Sequence, residues 1–185
     1  MPLSKERVAE LVKKHWVKAV FVLLLLFGIS YVFNTSFKMI VVMTVFIVLG
    51  SFSTLYFNYV RPPIHFETVK LGTVLVAVAY GIIPGIVVGV VSTLLGRVLI
   101  GYIDERLPIS LVTISGVAIA ASIFSAPDIA ILGIALVLSY NITMFAISTF
   151  LGGDIGWNLP YEGSNFLINL LWFTKVAPWL LPLIA

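Results

Sequence analysis

Two polar stretches interrupt an otherwise apolar chain, and both carry side chains able to hold a small molecule. Residues 61–70 (RPPIHFETVK) offer His65 and Glu67 beside the ring of Phe66. Residues 151–163 (LGGDIGWNLPYEG) offer Asp154, Trp157, Asn158, Tyr161 and Glu162. The rings supply stacking faces, Asn158 both a donor and an acceptor, and the carboxylates and imidazole charge or hydrogen bonds. A pocket for a polar solute needs that mixture. The same residues have a plainer use, with Trp157 and Tyr161 as headgroup anchors and the glycines only turning the chain.

Patterns for catalysis are missing. There is no G-x-x-x-x-G-K loop to cradle phosphates and no G-x-S-x-G nucleophile elbow. With only His15 and His65 and no H-E-x-x-H, the chain lacks the ligand spacing of a zinc hydrolase. The absence of cysteine removes thiolate chemistry, disulfides and Cys-bound zinc. Asp104 and Glu105 are adjacent, so their side chains diverge and cannot act as a convergent acid/base pair. The sequence therefore predicts no catalytic residue, no metal and no cofactor.

The elements that must position these stretches follow from composition. Hydrophobic residues make up 61% of the 185, and charged residues 10%, with a mean hydropathy of +1.14. So little charge cannot cover a sphere in water, and the solvent for most of the chain is lipid. The net charge of +3 is concentrated before the first apolar run, which reads as an orientation signal and not as a face for nucleic acid. Apolar runs at about 17–33, 38–59, 67–82, 84–103, 109–125, 129–150 and 164–184 are separated by turn-forming residues. Residues 66–103 as one helix would span about 57 Å against a hydrocarbon core of about 30 Å, so they must reverse near Gly81 and Pro84. The expectation is an all-α polytopic integral membrane bundle of six to seven transmembrane helices over residues 17–185. A basic amphipathic segment at 1–16 precedes it, and residues 151–163 form a loop.

Gly81, Gly85 and Gly89 recur at four-residue spacing, and Ser92 and Gly96 continue the pattern. Small side chains at that spacing let helix backbones approach closely, within the bundle or against a partner subunit. Arg97 is a charge well inside an apolar run, able either to serve function or to snorkel, with Asp104 its natural partner. Lys175, ahead of Pro178, has the same two options. Counting Lys and Arg in the short connections places the N-terminus in the cytoplasm of a multi-pass protein in the cell membrane. The two polar stretches then share one face, since four runs separate them.

Across 68–103, Val69, Leu71 and Gly72, then Gly81, Pro84 and Gly85, then Gly89 follow an order that resembles the substrate-binding S-components of energy-coupling-factor transporters. The tail at 165–183, with Asn169 and Lys175 before a proline-ended apolar run, is similar to that family's last helix. The resemblance implies a bundle that captures a vitamin or related micronutrient under loops mapping onto residues 61–70 and 151–163. It also implies partners: a transmembrane coupling subunit and ATPases. Family orientation would put both loops outside, opposite to the charge count. The leading expectation is a small-solute-binding membrane subunit of a transporter, in contact with membrane lipid. A structural subunit docking partner membrane proteins, and a membrane enzyme acting on lipid or isoprenoid substrates, are the alternatives.

Overall fold

The computed structural model describes residues 18, 20–22, 24–31, 36–58, 65–101, 103–125 and 128–185. The amphipathic segment expected at 1–16 and the proline pair at 62–63 lie outside them. The chain divides into two compact units at Val41/Val42. In the first, residues 20–31 are helical where described, and the rings of Phe27 and Phe37 meet edge to face at 5.9 Å.

Seven helices follow: α1 (Phe37–Ser53), within which the division falls, α2 (Val69–Tyr80), α3 (Ile82–Ile100), α4 (Leu107–Ile123), α5 (Ile129–Phe150), α6 (Ile155–Leu171) and α7 (Ala177–Ile184). A 3₁₀ turn at Leu55–Asn58 extends α1, and a π-turn at Trp172–Val176 joins α6 to α7. The protein is all-helical among the described residues. Three stretches are long and apolar enough to cross a membrane: α3 with 19 residues, α5 with 22, and the continuous 30 residues from Ile155 to Ile184. Those three place the protein in a membrane. The remaining apolar helices are shorter than the six or seven spans of the sequence reading require.

α2 is the core of the second unit. Every residue from Val69 to Ala77 is buried, and Thr73 through Val76 are wholly enclosed. A helix apolar nearly all round has no face to give to solvent, so it is covered on every side. α3, α4, α5 and α7 pack around it. The Tyr80 hydroxyl donates to the Ile184 carbonyl and ties the far end of α2 to the end of α7.

The reversal between α2 and α3 takes a single residue. Gly81 has φ of +98°, a conformation costly for any side chain, and nothing lies within 4 Å of a Cβ placed there. Gly81 is therefore a hinge, and it leaves the stripe predicted from its spacing. Pro84 occupies the first turn of α3, where the missing N–H has no helical partner to lose. The other small residues do pack. A Cβ on Gly85 would lie 2.5 Å from Ala77 Cβ, and one on Gly89 2.8 Å from Thr73 Oγ1 and 2.9 Å from Ile114. One on Gly96 would lie 3.1 Å from Thr54. These approaches are all within the chain. Gly85→Leu and Gly89→Leu should each destabilise by about 1–3 kcal/mol, the usual cost of overpacking. Gly116→Leu, with open space around it, should have little effect. Thermal melts in detergent compare the three, and equal shifts would show that the close approach carries no energy.

The stretch at 151–163 is not the loop its glycines and proline suggest. The turn ends at Asp154, whose carboxylate accepts from the Gly156 N–H at 2.8 Å and caps α6. The helix then runs through Pro160. That proline removes one bond to the Gly156 carbonyl, at an exposed position where the freed oxygen is not enclosed. The capping aspartate outweighs the helix breakers.

Candidate functional site

α6 carries its polarity inward. Its three buried residues are Asn158, Asn165 and Asn169, and with Glu162 they recur at four- and three-residue spacing along one face. In lipid such a face must be turned toward partners inside the protein. The partners come from the start of α2. The Lys70 ammonium pairs with Glu67, donates to Asn165 Oδ1 at 2.9 Å, and lies 4.2 Å over the ring of Tyr140 from α5. Its side chain is 1% exposed, so this charge depends on those three groups and on Glu162, which lies within electrostatic reach.

The remaining orientations follow from that ammonium. Lysine can only donate, so the Asn165 atom beside it is the oxygen, which also accepts from Asn169 Nδ2 at 3.3 Å. The Asn165 amide nitrogen therefore faces His65 and donates to Nδ1 at 3.2 Å. His65 then holds its proton on Nε2, which stands 3.5 Å from Glu67 Oε2. Burial first, and then the positive charges of Lys70 and Arg97, hold the His65 pKa well below the ordinary imidazole value. The ring is neutral and stacks on Tyr161 with centroids 4.2 Å apart. Its backbone N–H donates to Ser164 Oγ at 3.0 Å, closing residues 65–70 onto α6.

Above this network lies a cavity of about 630 Å³, within the usual range for a small-molecule site. All seven residues singled out for ligand chemistry line it: His65, Glu67, Asp154, Trp157, Asn158, Tyr161 and Glu162. Arg97 lines it too, half-buried, with Nη1 at 4.0 Å from Asp104. Gly96 adds a backbone wall, whereas Lys175 sits exposed in the π-turn and takes no part. Several buried polar atoms of the lining residues have no hydrogen-bond partner among the described residues: Ser92 Oγ, Ser148 Oγ, Asn158 Nδ2 and Asp104 Oδ1. A buried donor or acceptor left unpaired costs about 1–3 kcal/mol, a cost that an occupant or water in the cavity would relieve.

The sequence reading left out Lys70, Tyr140, Asn165 and Arg106. Lys70 was counted as a loop charge that sets orientation. Asn165 was separated from Asn158 and Glu162 by ending a loop at 163. Among the described residues no group of three or more His, Asp or Glu could hold a metal ion. Against family models, curated proteins and solved structures, the chain matches none.

Proposed function

We propose that this chain is a membrane subunit that binds a small polar solute in the cavity bounded by residues 65–70 and the first turns of α6. The observation that carries the reading is the cavity itself, with aromatic rings, charges of both signs and unpaired buried polar atoms on its walls. A purely structural bundle gains nothing from leaving those atoms unpaired. The close approaches of Gly85, Gly89 and Gly96 are spent inside the chain, so the glycine stripe itself does not support the rival docking role. In this reading the shorter helices α1, α2 and α4 also traverse the bilayer, giving six or seven crossings. The Lys and Arg distribution sets the N-terminus in the cytoplasm of a multi-pass cell-membrane protein. The likeness to S-components of energy-coupling-factor transporters, carried by Val69, Leu71, Gly72, Gly81, Pro84, Gly85 and Gly89, suggests a coupling subunit and ATPases as partners and a vitamin-like solute. No catalytic step belongs to it.

Native mass spectrometry of gently purified protein should show a co-purifying small molecule. The combined variant His65→Ala/Trp157→Ala/Tyr161→Ala should lose that mass, because each substitution removes a ring from the cavity wall. The melt of the variant runs alongside to show that the bundle still forms. A stoichiometric lipid or protein in place of the small molecule, or its retention by a folded triple variant, would overturn the reading.

A further inference from the structure

The charges on the cavity wall are mostly spoken for. Glu67 is paired with Lys70, Arg97 faces Asp104, and Asp154 caps α6. Two remain: Arg106 and Glu162 both line the cavity, and neither has an ion partner within 4 Å among the described residues. Glu162 lies within electrostatic reach of Lys70 first, and then of Arg106 and Arg97. Arg106 and Glu162 each have neighbours suited to one end of a ligand.

Arg106 sits at a corner with two donors. A Cβ placed on Gly153 would come within 2.6 Å of Asn158 Nδ2 and 2.9 Å of Arg106 Nη2, so both nitrogens converge on the space beside that glycine, with the Ser148 carbonyl oxygen at 2.7 Å already accepting from the Gly153 N–H. Asn158 is 5% exposed and its Nδ2 has no partner, and the buried Ser148 hydroxyl on the same wall is also unpaired. A guanidinium with a free amide and a free hydroxyl suits a carboxylate. Glu162 lies one turn of α6 beyond Asn158 on the same face, roughly 6 Å away, and presents an acceptor for a cation.

Building on the solute-binding reading above, we infer that the cavity takes a free zwitterion of the amino-acid kind. Its carboxylate rests on Arg106 and Asn158, its ammonium on Glu162, and its apolar body against Ile114, Met144 and Trp157. An anion alone would leave the Glu162 carboxylate with no cation in contact, and a cation alone would leave Arg106 with no anion in contact. A ligand carrying both signs satisfies the pair without adding net charge to the bundle.

The test uses the full chain, purified in detergent, with thermal shift and calorimetric titration. The probes are L-phenylalanine, L-leucine and L-methionine, each beside its decarboxylated amine and its deaminated acid. At least one amino acid should bind saturably, at least tenfold more tightly than its own amine and its own acid. Arg106→Gln should erase the preference over the amine, and Glu162→Gln the preference over the acid. Arg106→Lys, which keeps the charge, should retain most of the discrimination. A merely structural role for either residue would weaken all three probes alike. Binding of the amine or the acid as tightly as the amino acid would overturn the zwitterion and leave solute binding standing. So would stabilisation by short-chain phosphatidylethanolamine alone, which would assign the cavity to a headgroup. No response to any amino acid removes the proposal, while the co-purified mass separately judges the broader function.

Discussion

Lys70→Met is expected to destabilise the protein by about 3–5 kcal/mol, the cost of removing one partner of a buried pair. The methionine fills the space against Tyr140, so packing alone would predict a small loss. The damage lies in what remains. Glu67 is left with no cation in contact, and Asn165 Oδ1 loses its strongest donor. Adding Glu67→Gln removes the stranded charge, so the double variant should recover most of the stability. Melting in detergent across the two single variants and the double supplies the cycle. A harmless Lys70→Met, or a double variant as unstable as the worse single one, would show that the pair is not coupled through burial.

The second large effect is expected at Gly133. A Cβ there would stand 1.9 Å from Cδ1 of Phe173 and 2.3 Å from two further ring atoms, far inside any contact distance. The Phe173 ring is wholly buried in the π-turn and cannot swing aside. Gly133→Ala should therefore destabilise by about 3 kcal/mol, at the upper end for overpacking by one methyl group. Phe173→Leu costs stability by itself, but it should offset part of the loss when combined with Gly133→Ala. Additive losses in that cycle would mean that the glycine does not accommodate the ring.

Helix positions in the middle of the chain were legible because lipid imposes a coarse grammar of long apolar runs and sharp breaks. α5 begins and ends at the residues read from the sequence, since Asp128 caps it as Asp154 caps α6. The first turns of α6 were not legible in the same way. Two adjacent glycines and a proline weigh heavily in a local reading, while one capping carboxylate weighs little. With α6 cut short, the period of Asn158, Glu162, Asn165 and Asn169 was hidden, although that polar face was the clearest available signal of the site. Lys70 was missed for another reason. Its burial depends on Asn165, 95 residues away, and no local pattern encodes such a contact. The Glu67–Lys70 spacing offered only a hint of pairing at the start of a helix.

The single-residue link at Gly81 bears on how the chain is made. Alone, α2 has 12 residues, about 18 Å of helix, with an ammonium in its first turn. That is a poor substrate for partition from the insertion machinery into a bilayer core of about 30 Å. In the proposed topology, where α2 also crosses, one residue joins it to α3, so the two segments leave as a hairpin, the longer helix carrying the shorter. During synthesis Lys70 then has Glu67 but neither Tyr140 nor Asn165. The pair waits half-solvated until α5 and α6 emerge, and the cavity is among the last parts of the second unit to be assembled. An unfinished chain thus differs from a finished one by an unsheltered charge near the start of α2.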